Sequence, residues 1–92
     1  LYIYSINQDT GILTQIGSPV SSGTDTRNLS ITPDGKYLFA AGFNSNSLIP
    51  YTINETTGIP AQGTAVTVSN APESTFVHPN GNFVYVVYSA SG

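Results

Sequence analysis

The sequence predicts an all-β chain built from a repeated four-stranded unit, and three observations carry that prediction. The first is a pair of Pro-Asx-Gly turns between apolar runs, in 31–42 (ITPDGKYLFAAG) and 77–88 (VHPNGNFVYVVY). Pro presets its own φ, and Gly takes the positive φ that a tight turn often needs. The flanks are rich in aromatic and β-branched residues, so each stretch reads as a β-hairpin. The second is internal repetition. Pro33, Asp34 and Gly35 match Pro79, Asn80 and Gly81 at an offset of 46, and Leu1, Tyr4, Ile6, Asn7, Thr10, Gly11, Ile12 and Gln15 recur at an offset of 47. The third is that no segment has a 3.6-residue apolar period, so essentially no helix is expected.

Composition narrows the classes. Of 92 residues, 39% are apolar and only 8% charged, against about 25% charged in an ordinary soluble domain. Polarity comes instead from 11 Ser, 11 Thr and 8 Asn. Plentiful aromatic and β-branched residues argue against disorder. Five acids oppose Lys36 and Arg27 for a net charge of −3; without a basic patch, nucleic acid is not an expected partner. No apolar run approaches the roughly 20 residues of a membrane-spanning helix. Without cysteine there are no disulfides and no Cys-ligated zinc. The hydroxyl-rich composition and the sequons Asn28-Leu29-Ser30 and Asn54-Glu55-Thr56 fit a secreted or cell-surface protein.

Taken in order, 1–6 (LYIYSI) is an apolar strand broken only by Ser5. The run 7–11 (NQDTG) is a turn, and 12–16 a more polar strand. A Ser-, Gly- and Thr-rich loop follows. Residues 27–32 and 37–43 are the strands around the Pro-Asp-Gly turn, 48–53 the next strand, and 54–58 a second copy of the Asn-initiated turn. Residues 65–69, 74–77 and 83–88 complete the set. Pro50 stands where the other copy has Ile3, so a bulge or local irregularity is expected in that strand.

A period of about 40–50 residues with four short strands is that of a β-propeller blade. Lettering the strands A to D from channel to rim, 1–20 supply C and D, 27–69 a complete A-B-C-D blade, and 73–88 strands A and B. The chain thus reads as two blades in circularly permuted phase, and joining Gly92 back to Leu1 restores the repeat to within about one residue. A propeller would then be completed by oligomerisation or as part of a longer chain.

The hairpins TPDGKYLF and HPNGNFVYVV, with the INxxTG turns at 6–11 and 53–58, resemble the lactonase-type β-propeller family. That family includes 6-phosphogluconolactonase-like proteins and YVTN-repeat surface proteins, and its propeller normally has seven blades. The resemblance implies a site at the start of the innermost strands, where the family often carries Pro-Arg-His. Here Thr26-Arg27-Asn28 stands in one copy and Pro72-Glu73-Ser74 in the other. Arg27 and Glu73 are therefore the catalytic candidates, able to bind an anionic sugar lactone and position water. The alternative role is an ion pair tying blades together. Asn28 replaces the family's His and, with the single histidine His78, is a ligand-binding candidate. The competing role for His78 is to cap its own turn. No metal site or cofactor is expected, since no second His or dense run of acids accompanies it.

Three functions follow as expectations: a self-assembling propeller unit, part of a lactonase-like enzyme, or a secreted adhesive propeller binding a glycan. The first takes the chain itself as partner. Two blades per chain close rings of even blade number, so a trimer or tetramer is expected, with Tyr88 against Leu1 or Tyr4 of a neighbour.

Overall fold

A computed structural model describes residues 1–88; the expected junction at Gly92 lies outside them. Those residues form nine strands and no helix. β1 (Tyr4–Ile6) pairs with β2 (Leu13–Gln15). β3 (Thr26–Ile31), β4 (Tyr37–Gly42) and β5 (Ser47–Ile53) make the central sheet, whose outer edge is shared by β6 (Pro60–Gln62) and β7 (Val66–Thr67), both paired with β5. β8 (Pro72–Val77) pairs with β9 (Val84–Tyr88). Every pairing is antiparallel.

The turns form as their residues dictate. Gly35 and Gly81 sit at φ +75° and +77°, and each N–H closes its turn onto the carbonyl three residues back, Thr32 and His78. In the other turn type, Asn7 and Asn54 each accept two backbone N–H groups on the side-chain oxygen, from Asp9 and Thr10 and from Thr56 and Thr57. Gly11 and Gly58 then bond back to the Asn carbonyl at 2.7 Å. An Asx side chain mimicking a backbone turn is what sets this shape.

Two expectations are corrected. The fourth strand of the central sheet is not the single run 65–69 but is split into β6 and β7. β6 is the repeat-mate of β2, Gln62 matching Gln15, so the repeat itself pointed to it. Pro50 does not disturb its own strand: Phe39 and Pro50 pair within an unbroken β4·β5 register. The Pro50 carbonyl accepts the Gly63 N–H at 2.7 Å, so Pro50 turns its backbone polar side, and its missing N–H, toward the outer edge. That is where β6 gives way to β7, with one extra residue between the Tyr51↔Gln62 and Leu48↔Val66 pairs. The irregularity falls on the partner strand.

The core is small: Ala40, Ile49 and Tyr51, with Leu1, Val20 and Leu38 packed against it. Leu1 and Val20 exchange backbone hydrogen bonds, and the Tyr51 hydroxyl donates to the Ser21 carbonyl at 2.6 Å. These bonds anchor the polar loop on the central sheet. Burial raises the Tyr51 phenol above its ordinary value.

Candidate functional site

Arg27 and Glu73 occupy the same place in their sheets for the same reason. The β3·β4 register shifts between Thr26 and Asn28, and the β8·β9 register shifts between Pro72 and Ser74. Arg27 and Glu73 are thus the extra residues of two equivalent β-bulges, and a bulge re-aims the side chain it carries. The residue two places before each, Asp25 and Ala71, has a positive φ of 53° and 56°, which turns the chain into the bulged strand. The two side chains meet, Arg27 Nη1 lying 3.5 Å from Glu73 Oε2.

Arg27 is held more closely by a residue that the sequence reading passed over. Its Nε donates to Asp25 Oδ2 at 3.1 Å, and its Nη2 lies 3.0 Å from the same oxygen in an ion pair. Its guanidinium carbon lies 3.5 Å over the Phe43 ring centroid, a cation–π contact. Asn44 Nδ2 donates to the same Asp25 oxygen at 3.4 Å, and the Phe43 N–H donates to the Asp25 carbonyl at 3.1 Å. In the sequence Asp25 falls in the Ser-, Gly- and Thr-rich loop and Phe43 ends the strand 37–43. Only the pairing of β3 with β4 brings both ends of the hairpin together beneath Arg27. The one available signal was Asp25 at i−2 of an Arg entering a strand.

Beside this cluster lies an open depression of about 500 Å³ lined by Leu1, Ser22, Thr26, Arg27, Asn28 and Leu29. Arg27 and Glu73 side chains remain 43% and 40% exposed, so the unused guanidinium donors and the carboxylate are reachable from solvent. One cation among two carboxylates leaves the cluster a formal charge of −1. It can donate to a carbonyl or hydroxyl oxygen and accept from a hydroxyl or water. Ion pairs this exposed are each worth about 1 kcal/mol or less. Among the described residues no group of three or more His, Asp or Glu could hold a metal ion.

The other two candidates behave differently. Asn28 turns its side-chain oxygen to the next sheet, accepting the Thr75 N–H at 2.9 Å and the Thr75 hydroxyl at 3.0 Å. Ser30 Oγ and Thr75 Oγ1 lie 2.6 Å apart, extending this tie between β3 and β8. His78 lies at the far end of β8 from Glu73. Its Nδ1 accepts the Asn80 N–H at 3.1 Å, and its ring meets Phe83 edge-on, so it caps its turn. The structure therefore gathers Arg27, Glu73 and Asn28 at one end of β3 and β8 and leaves His78 at the other.

Comparison with known proteins agrees with this architecture. The family model described as lactonase, seven-bladed β-propeller, matches residues 1–79. A protein of unknown function from Desulfotomaculum acetoxidans superimposes with a TM-score of 0.80 at 30% identity, over 92% of this chain and 26% of that one. A protein from Lactobacillus plantarum gives 0.73 at 27%, over 92% and 27%. A candidate 6-phosphogluconolactonase from Bacteroides fragilis gives 0.80 at 22%, over 95% and 26%, a likeness of fold alone. The chain thus spans about a quarter of the length of these structures. A search of curated proteins finds no match.

Proposed function

The chain belongs to the lactonase, seven-bladed β-propeller family, and from that premise we propose that it acts as a propeller segment whose two outer sheets are completed by strands of further blades. One observation carries this reading. The first and last sheets have two strands each, and large apolar residues in or next to their strands stay exposed: Tyr2, Tyr4, Ile6 and Leu13 at the first, Phe76, Phe83, Tyr85 and Val87 at the last. Such faces call for covering, and such edges for a pairing strand.

Head-to-tail copies satisfy both demands. β8 and β9 of one copy and β1 and β2 of the next make one four-stranded composite blade, placing Tyr88 against Leu1 or Tyr4 of the neighbour. Rings built this way have six or eight blades from three or four copies, since each copy brings two. Sedimentation and native mass spectrometry of the purified chain test this, with a trimer or tetramer expected. A folded monomer overturns closure by copies, and pairing of these edges with blades of one longer polypeptide replaces it.

A second reading rests on the paired bulges. Arg27 lines the depression and Glu73 meets it at 3.5 Å, so the pair would hold the carbonyl of a small sugar lactone and orient water in an assembled propeller. Lactone hydrolysis by the assembled protein, lost in Arg27→Ala with the assembly intact, is the expected result. Equal rates in the two proteins refute it.

A further inference from the structure

We propose that Asn54 is an acceptor site for an N-linked glycan, on the end of the sheet opposite Arg27. Three asparagines in this chain isolate the requirements. Asn54 opens the triplet Asn54-Glu55-Thr56, is exposed, and begins a turn closed by the Gly58 N–H on its own carbonyl. Its side-chain oxygen is taken by the N–H groups of Thr56 and Thr57 at 2.9 and 3.0 Å. That orientation leaves the Nδ2 amide of Asn54 and the Thr56 hydroxyl without a protein partner among the described residues.

Asn7 begins the same turn, with the same bonds from Asp9 and Thr10 at 2.9 and 3.1 Å, but Asp9 stands where a hydroxyl is needed. Asn28 has the triplet, followed by Leu29 and Ser30, but lies half-buried inside β3. Its side-chain oxygen is bonded to Thr75, and Ser30 Oγ is bonded to the same residue. Asn54 alone of the three combines hydroxyl, exposure and a turn.

The chemistry is a transfer from a polyprenyl-diphosphate-linked oligosaccharide. A bond forms between Asn54 Nδ2 and C1 of the first sugar, while the bond from C1 to the diphosphate breaks. The diphosphate leaves with that electron pair, and the amide gives up one proton. The site suits a bulky group. The Ile53 N–H donates to the Lys36 carbonyl, which sets this turn beside the Pro33–Lys36 turn. Arg27 lies at the other end of the six-residue β3, about 20 Å away at some 3.3 Å per residue. A glycan there leaves the depression and the bulges clear.

The test is secretion of the chain from yeast, with intact mass measured before and after peptide N-glycosidase. One glycan is expected on the wild type, and none on Asn54→Gln. Thr56→Ala is the sharper variant, because it removes the hydroxyl (with its neighbouring methyl) and leaves both N–H bonds to Asn54 in place; it too is expected to lose the glycan. Asn28→Gln keeps it. Asp9→Thr, which completes the triplet at Asn7, gains a second. An unmodified Asn54 in folded secreted protein overturns the proposal, as does a glycan on Asn28.

Discussion

Tyr4 and Tyr51 occupy the same position in two copies of one sequence pattern, yet Tyr4 is 47% exposed and Tyr51 1%. The local structure around them is shared: a strand, an Asn-initiated turn with matching hydrogen bonds, and a short strand returning. What differs is the neighbourhood. β5 has β4 on one side and β6 and β7 on the other, and its face is covered by Leu1, Val20 and the loop carbonyl of Ser21. β1 has only β2. In a repeat architecture, then, a residue's identity specifies the shape of its unit, and the burial that stabilises it comes from the units alongside.

The largest expected effect follows from this contrast. Tyr51→Ala empties a fully buried site and strips the hydroxyl bond to Ser21, and should cost about 3–5 kcal/mol. Tyr4→Ala should stay within about 0.5 kcal/mol in a lone chain, where the position is exposed, and should cost several-fold more where a further blade covers the first sheet. Urea unfolding of both variants measures the difference. If Tyr4→Ala proves as costly as Tyr51→Ala, the first sheet is covered in solution, and closure of the outer sheets by further blades gains direct support.

A second contrast sets Asn28 against its repeat-mate Ser74. Asn28 joins two sheets through Thr75, which is buried. Asn28→Ala leaves the Thr75 N–H without its acceptor, the hydroxyl keeping Ser30 Oγ, and should cost about 1–3 kcal/mol. Ser74→Ala removes no such tie and should be near neutral. Equal effects would mean that the sheets are held together by apolar contact rather than by this polar link.

These contrasts also mark what the sequence could say. The turns were legible because Pro, Asx and Gly act locally, and the repeat was legible because Leu1–Gln15 recurs as Leu48–Gln62. β6 was passed over because 59–64 (IPAQGT) looks like loop taken alone, with Pro and Gly at either end. The candidate site was half legible. Equivalence in the repeat singled out Arg27 and Glu73, but the bulges that aim them arise from strand pairing. Asp25 lies two residues from Arg27, but Phe43 reaches it only after the 15 residues between them have folded back as a hairpin. Asn28 was legible as special but not as a tie to Thr75, which lies 47 residues along the chain.

The next contrast is conformational. Gly35 has φ +75° and open space around a would-be Cβ, so Gly35→Val tests backbone strain without a clash. A β-branched residue forced into that region should cost about 1–2 kcal/mol. Gly81, at φ +77°, should respond similarly, although its Cβ would lie 3.6 Å from Pro33 of the neighbouring turn. Thermal melts of the two valine variants should therefore shift alike. A much larger shift at Gly81 would show that the two turns press on each other.

The smallest expected effect separates the same two turns by pH. Asp34 Oδ1 accepts the Thr32 hydroxyl at 2.6 Å and the Lys36 N–H at 3.0 Å, whereas Asn80 fills that position in the other copy and accepts the Asn82 N–H at 2.9 Å. The Thr32 bond, then the Lys36 N–H, hold the Asp34 carboxyl below its ordinary value of 3.8. Because the folded state favours the ionised form, Asp34 adds stability above that ordinary value. The contribution is lost as pH falls through the lowered folded value. Asn80 carries no such dependence. Acid titration followed by amide NMR should therefore shift Lys36 and Tyr37 below about pH 4, with no carboxylate in the second turn to move Asn82 in that range. Asp34→Asn should remove this acid shift from the first turn. If the Lys36 amide titrates unchanged in Asp34→Asn, another acid governs that turn and the pairing of the two copies breaks down at this position.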